Sequence, residues 1–170
     1  QTKDVWTHLV DIRKSFEPRA EELAKKYALA PYTMFIGSGA LWGETILFSM
    51  CILEEMQWKR TRYITSADFF HGTLELVEPG VPVFLFMGED ENRKLDERVR
   101  AFLTRGVTGD TDINIIDTAE FAIPGLDDEF RVIVSPWILT VLVTDRLARY
   151  YETVTKHNLK YRRYYHQFDY

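Results

Sequence analysis

Residues 81–88, VPVFLFMG, decide the fold. After Pro82 five apolar residues follow one another, with no polar alternation, until Gly88 ends the run. A strand with one wet face alternates apolar and polar side chains, whereas an unbroken apolar run belongs to a strand covered on both faces, the usual state of a parallel sheet. Working outward, three more stretches read as strands: PYTMFIGSG at 31–39, TRYITS at 61–66 and DINIID at 112–117. Each is rich in β-branched or aromatic residues and bounded by turn residues.

Helical patterns separate them. Over 4–27, Val5, Leu9, Ile12, Phe16, Ala20 and Leu23 recur at helical spacing, with Pro18 expected to kink or split the helix. GETILFSMCILEEMQW at 43–58 is apolar on nearly every side, as for a helix buried between layers or at a subunit interface. NRKLDERVRAFLTRG at 92–106 is amphipathic, with Asn92 or a nearby acid as its cap and Gly106 as its stop. VSPWILTVLVTDRLARYYETVTKH at 134–157 is a long final helix with Pro136 in its first turn. Strands alternating with helices predict an α/β three-layer sandwich on a mostly parallel sheet, of flavodoxin-like kind. In such sheets ligands bind beyond the carboxyl ends of the strands. That directs attention to GSGALWG (37–43), TSADFFHG (65–72), GEDEN (88–92) and DTAEF (117–121).

Composition narrows the class. At 170 residues, 46% apolar and 28% charged, the chain suits one globular domain. A formal net charge of −5 argues against a nucleic-acid surface. No stretch reaches the roughly 20 apolar residues that span a bilayer, and the charged, helix-patterned start is not expected to be a signal peptide. Cys51, the one cysteine, sits among apolar neighbours and is expected in the core, consistent with a reducing, cytoplasmic setting. No histidine pair has metal-ligand spacing and the lone cysteine adds no zinc pattern, so no metal is expected; no motif for another cofactor is seen either, and none is expected.

The backbone of Gly37-Ser38-Gly39 can cradle a phosphate or sugar oxygen at a helix start, or it can simply be a tight strand-to-helix turn that lines a pocket. Glu54 and Glu55 close the apolar helix, and helical spacing gives both apolar neighbours, so it does not choose between them. A carboxylate among apolar groups suits a general base, while a last turn facing solvent would leave both merely solvated. His71, after a strand and before a short helical stretch, is placed either for proton transfer or for capping and packing. The acids of GEDENRKLDE are explained by the helix dipole. YRRYYHQFDY at 161–170 is a tail expected to pack across a neighbouring surface, with Arg162 or Arg163 able to reach an anion.

LEEMQW followed by SADFFHGTLELVEPGVP, and the tail HNLKYRRYYHQFDY, resemble the sugar isomerase (SIS) domain family. They are most similar to the C-terminal half of deglycases acting on 6-phosphofructosyl amino acids. In that pattern a helix-borne glutamate stands 16 positions before a histidine-glycine pair; Glu55 and His71 have this spacing, so the resemblance selects Glu55. The isomerase domain of glutamine–fructose-6-phosphate aminotransferase shares it. Thr73 stands where the family often has proline, and Ser66-Ala67-Asp68 where it often has Ser-Gly-Glu. The resemblance implies catalysis by Glu55 and His71 on a phosphosugar; Ser38, Gly39, Arg163 and Tyr170 are expected to bind it, the family's Ser/Thr-rich phosphate loop lying in the other repeat. It implies a homodimer or higher homo-oligomer in which His71 serves the neighbouring subunit. It further implies that 1–155 is the second of two SIS repeats of a longer protein and 156–170 a tail near the active site or subunit interface. An aminosugar-phosphate isomerase or deaminase keeps the same residues, and a non-catalytic phosphosugar sensor is the reading from another class.

Overall fold

The computed structural model describes residues 4–106 and 108–169. Its centre is a four-stranded, fully parallel sheet: β1 (Thr33–Gly37), β2 (Thr61–Ile64), β3 (Val83–Met87) and β4 (Ile113–Asp117), in the order β2-β1-β3-β4. The register is unbroken, with Phe35 beside both Tyr63 and Phe84, and Phe86 beside Ile116. β1 and β3 are buried along their whole length, as the apolar run of β3 requires. β2, on the edge, is half-buried.

Alternation along these strands divides the core in two. Phe35, Phe84 and Phe86 face one helical layer, packing with Phe16, Phe48 and Tyr151. Met34, Ile36, Val83, Leu85 and Met87 face the other, under Phe69, Val99 and Leu103. The first layer holds α1 (Val5–Ser15), α2 (Glu17–Tyr27), α3 (Trp42–Ile46), α6 (Asp128–Leu139) and α7 (Ala148–Thr155). The second holds α4 (Ser66–Phe69) and α5 (Arg93–Leu103). This three-layer parallel α/β sandwich is the fold expected from the sequence.

Five helical details differ from the sequence patterns or refine them. The first helix is split, but at Phe16, so that Pro18 falls in the first turn of α2, where its missing N–H costs nothing. α3 continues into a π-wound segment, Leu47–Met56. Hydroxyls of Thr45 and Ser49 donate to carbonyls four residues back, at 2.9 and 2.6 Å, crowding the ladder where the winding widens. The last helix starts at Asp128, so Pro136 lies inside α6 rather than in a first turn. The carbonyl of Val132, which a proline cannot serve, accepts instead from the Ser135 hydroxyl at 3.2 Å. A second π-wound segment, Thr140–Leu147, joins α6 to α7. α5 has no side-chain cap from Asn92; Asp90 accepts from the Asn92 N–H at 2.7 Å instead.

No helix among the described residues is long and apolar enough to cross a membrane.

Candidate active site

At the carboxyl edge of the sheet, where the sequence directs attention, many of the chain's polar groups are paired with one another. Arg93 binds Asp117 through two contacts of 2.9 and 2.6 Å and the Gly88 carbonyl at 2.8 Å. Burial pushes the Asp117 carboxyl up, but the Arg93 guanidinium more than offsets this and holds it below the usual carboxylate range. Arg131 grips Glu89 and donates to the carbonyls of Thr118 and Phe121. Ser66 donates to Asp96 at 2.5 Å, and the Gly88 N–H to the other oxygen of Asp96 at 3.2 Å. Burial raises the Asp96 carboxyl to about 6, against the pull of those two hydrogen bonds.

The glycine turn after β1 is occupied in the same way. The Ser38 hydroxyl is buried and accepts from the Ser66 N–H at 2.7 Å. The Ala40 N–H donates to Asp90 at 2.5 Å. Gly39 has a left-handed φ of 54°, and a Cβ there would lie 2.1 Å from Asp90 Oδ2. The Asp90 carboxylate thus occupies an amide of this turn; Ser38 is buried, while Gly39 is exposed and lines a cavity of about 590 Å³ with Glu89, Asp90 and Asn92.

Glu55 lies at the opposite edge. The π-wound segment runs antiparallel to the strands, so its last turn reaches the amino end of β2, where Thr61 donates to Glu54 at 2.5 Å. Trp58, with φ 53°, reverses the chain. The tail meets it there. Gln57 donates to the His157 carbonyl at 2.5 Å and accepts from Thr155 at 2.7 Å. His157 packs edge-on to Trp58 at 4.4 Å, and the Arg163 guanidinium lies 4.3 Å over the Trp58 ring. Between helix end and tail is a cavity of about 450 Å³, lined among others by Glu54, Glu55, Lys59, Arg60, Arg162 and Arg163.

Glu55 is the available carboxylate in this cavity. Its side chain is 37% exposed, and Arg162 Nε stands 2.7 Å from its Oε1. That contact is one of charge, since the Arg162 Nε–H has no aligned acceptor. Glu54, by contrast, is committed to Thr61. The neighbouring Cys51 thiol is pushed up by burial first and by the charges of Glu55 and Glu54 second. It is partly exposed rather than in the core, because it lies on the flank of the π-wound segment beside these acids.

His71 is not in this cavity. It is exposed, and its segment packs on the second face of the sheet through Phe69, Phe70, Leu74 and Val77, while Glu55's helix covers the first. The sheet edge thus separates Glu55 from His71 within one chain. Of the residues expected at the site, Glu55 and Arg163 come together, with Arg162 between them. Ser38 and Gly39 lie at the far end of β1, five residues at about 3.3 Å each. Tyr170 lies outside the described residues. Arg162, Lys59 and Arg60 complete the cavity; the sequence signals the first only as an anion-reaching tail residue and the other two not at all, since cations after a helix read as ordinary surface.

The three-layer parallel sandwich is an architecture shared with solved proteins described as phosphosugar isomerases. A crystal structure of a Bacillus subtilis protein described as a phosphosugar isomerase superposes with a TM-score of 0.88 at 27% identity, covering 96% of this chain and 49% of that one. A Salmonella typhimurium protein described in the same way gives 0.86 at 26% identity. Among curated proteins, the fructosamine deglycase FrlB of Bacillus subtilis (strain 168) is 30% identical over 148 residues, 85% of this chain and 43% of that protein. The fructoselysine 6-phosphate deglycase of Escherichia coli (strain K12) is 30% identical over 161 residues, again 43% of its length. No family model matches. The chain spans less than half the length of these curated relatives. It is a SIS domain of the deglycase-like kind.

Proposed function

We propose that this chain carries the proton-transfer site of a phosphosugar deglycase, which converts a 6-phosphofructosyl amino acid into glucose 6-phosphate and the free amino acid. The observation that carries this reading is the half-exposed Glu55 carboxylate in a cation-lined cavity. Relatives named as deglycases point the same way.

The chemistry follows from what a carboxylate can do there. Glu55 removes a proton from C1 of the open-chain ketosamine, giving an enaminol, and returns it at C2. The C1 imine so formed takes up water and releases the amine. Arg162, at 2.7 Å from Oε1, holds the Glu55 carboxylate in place within the cavity. His71 moves a proton between the ring oxygen and the anomeric hydroxyl during ring opening. Because one chain holds Glu55 and His71 on opposite faces of its sheet, the site is completed by another subunit, in at least a homodimer. Residues 1–155 then form the second SIS repeat of a longer protein, in a cytoplasmic setting, and 156–170 the tail that closes the Glu55 cavity.

The test is glucose 6-phosphate release from a panel of 6-phosphofructosyl amino acids by the full-length protein. Glu55→Gln is expected to lower kcat by about 10²–10⁴-fold, the worth of one general acid or base, with unfolding unchanged. Mixing Glu55→Gln with His71→Asn subunits is expected to restore part of the activity. A Glu55→Gln protein that turns over normally would sink the reading.

A further inference from the structure

Two cations in the Glu55 cavity have no acid to serve. Four cationic residues line it, Lys59, Arg60, Arg162 and Arg163, against the two carboxylates of Glu54 and Glu55. Arg162 is spent on Glu55, and Arg163 is stacked on Trp58. Glu54 is taken by Thr61. Among the described residues, Lys59 and Arg60 form no side-chain hydrogen bond or ion pair. Burial lowers the Lys59 ammonium below its ordinary range, with no neighbouring carboxylate to offset it. This local excess of positive charge stands in a chain of formal net charge −5, where unpaired cations elsewhere would find acids easily.

The backbone holds both residues in place. Trp58's left-handed φ of 53° turns the chain at the helix end. The Lys59 N–H then donates to the Leu53 carbonyl at 2.8 Å, and the Arg60 carbonyl accepts from the Thr33 N–H at 3.2 Å. The first bond ties Lys59 to the helix and the second ties Arg60 to the central sheet, so the two side chains leave a rigid rim. Lys59 is partly buried and Arg60 exposed, so an anion that enters the cavity meets both cations at its rim.

We propose that Lys59 and Arg60 form an anion subsite beside Glu55 that binds a phosphate or carboxylate group of the substrate. It rests on the reading of this cavity as the active site and deepens it: the substrate is an acidic sugar derivative whose charged end is held by these two side chains while its carbonyl end meets Glu55. Arg60 offers a planar fork to two oxygens, and Lys59 a point charge to a third.

The experiment is calorimetric titration of the full-length protein with three probes: glucose 6-phosphate, an unphosphorylated N-fructosyl amino acid, and glucose. The first carries only a phosphate, the second only a carboxylate, the third neither. In Lys59→Met/Arg60→Met the affinity for one anionic probe is expected to fall by about 10- to 100-fold, the worth of one or two charge-assisted hydrogen bonds. Glucose binding stays unchanged. The probe that weakens identifies the group bound. Equal affinity of wild type and variant for both anions, or no anion binding by wild type, overturns the proposal. Should the double variant unfold, the ionic-strength dependence of wild-type affinity decides: it is expected to weaken with salt, and salt-independent binding overturns the subsite. Glu55→Gln separates the two readings. If it keeps full turnover while the cation variant loses anion affinity, the subsite stands and the proton-transfer role falls. If it abolishes turnover while the cation variant binds normally, the reverse holds.

Discussion

Asp96 gives the fold a pH dependence whose size follows from its surroundings. It is 1% exposed, and its carboxylate is solvated only by the Ser66 hydroxyl and the Gly88 N–H. Burial raises it from 3.8 to about 6. Between those two pH values the folded protein binds a proton that the unfolded chain has released. Stability therefore falls as pH rises through that window. The shift of roughly two units corresponds to about 3 kcal/mol, at about 1.4 kcal/mol per unit. Asp96→Asn removes the titration while keeping the shape. Its amide disturbs one of the two hydrogen bonds, a loss of about 1–3 kcal/mol that does not depend on pH. The quantity to follow is the difference in unfolding free energy, variant minus wild type, from urea titrations between pH 4 and pH 7. All other titrating groups cancel in it. The difference is expected to rise by up to about 3 kcal/mol across the window, so that the variant's deficit shrinks or reverses near neutrality. A difference that stays flat from pH 4 to pH 7 would refute the argument that burial, rather than the two hydrogen bonds, sets the state of Asp96.

Two further substitutions test the packing that positions the site. Arg131→Met leaves Glu89 charged and mostly buried, since each side chain of the pair is only 13% exposed. It is expected to cost about 3–5 kcal/mol, measured by urea unfolding, with Arg131→Met/Glu89→Met recovering most of that loss. Tyr151 is buried with an unpartnered hydroxyl, and burial raises its pKa. Tyr151→Phe is therefore expected to be neutral or to stabilise by about 1 kcal/mol, read as an unchanged or higher Tm.

The layered architecture was legible because its decisive signal is local. The unbroken apolar run of β3 states that both faces are covered, and Phe84 and Phe86 do face one layer while Val83, Leu85 and Met87 face the other. Glu55 was not separable from Glu54 by spacing, since the two are distinguished by partners far away in the chain: Thr61 takes one and Arg162 the other. The edge of the sheet on which the cavity opens was also hidden. At the carboxyl edge, likewise, the sequence does not show that Asp90 packs against the turn at Gly39 or that Arg93 pairs with Asp117. Such contacts join residues about 25 to 50 positions apart, beyond the reach of any periodicity. Pro136 was misplaced because a hydroxyl one residue earlier, on Ser135, lets a helix continue through a proline.

The bond from Gln57 to the His157 carbonyl joins residues 100 positions apart, and the cavity walls are split in the same way, residues 54–60 on one side and 162–165 on the other. On the ribosome the helix bearing Glu55 emerges long before the segment that faces it. Until residue 165 has left the exit tunnel there is a carboxylate at a helix end but no cavity around it. Long-range closures of this kind are slow and come late in folding. A chain that has emerged only as far as residue 161 therefore has the helix that bears Glu55 but lacks one wall of the cavity.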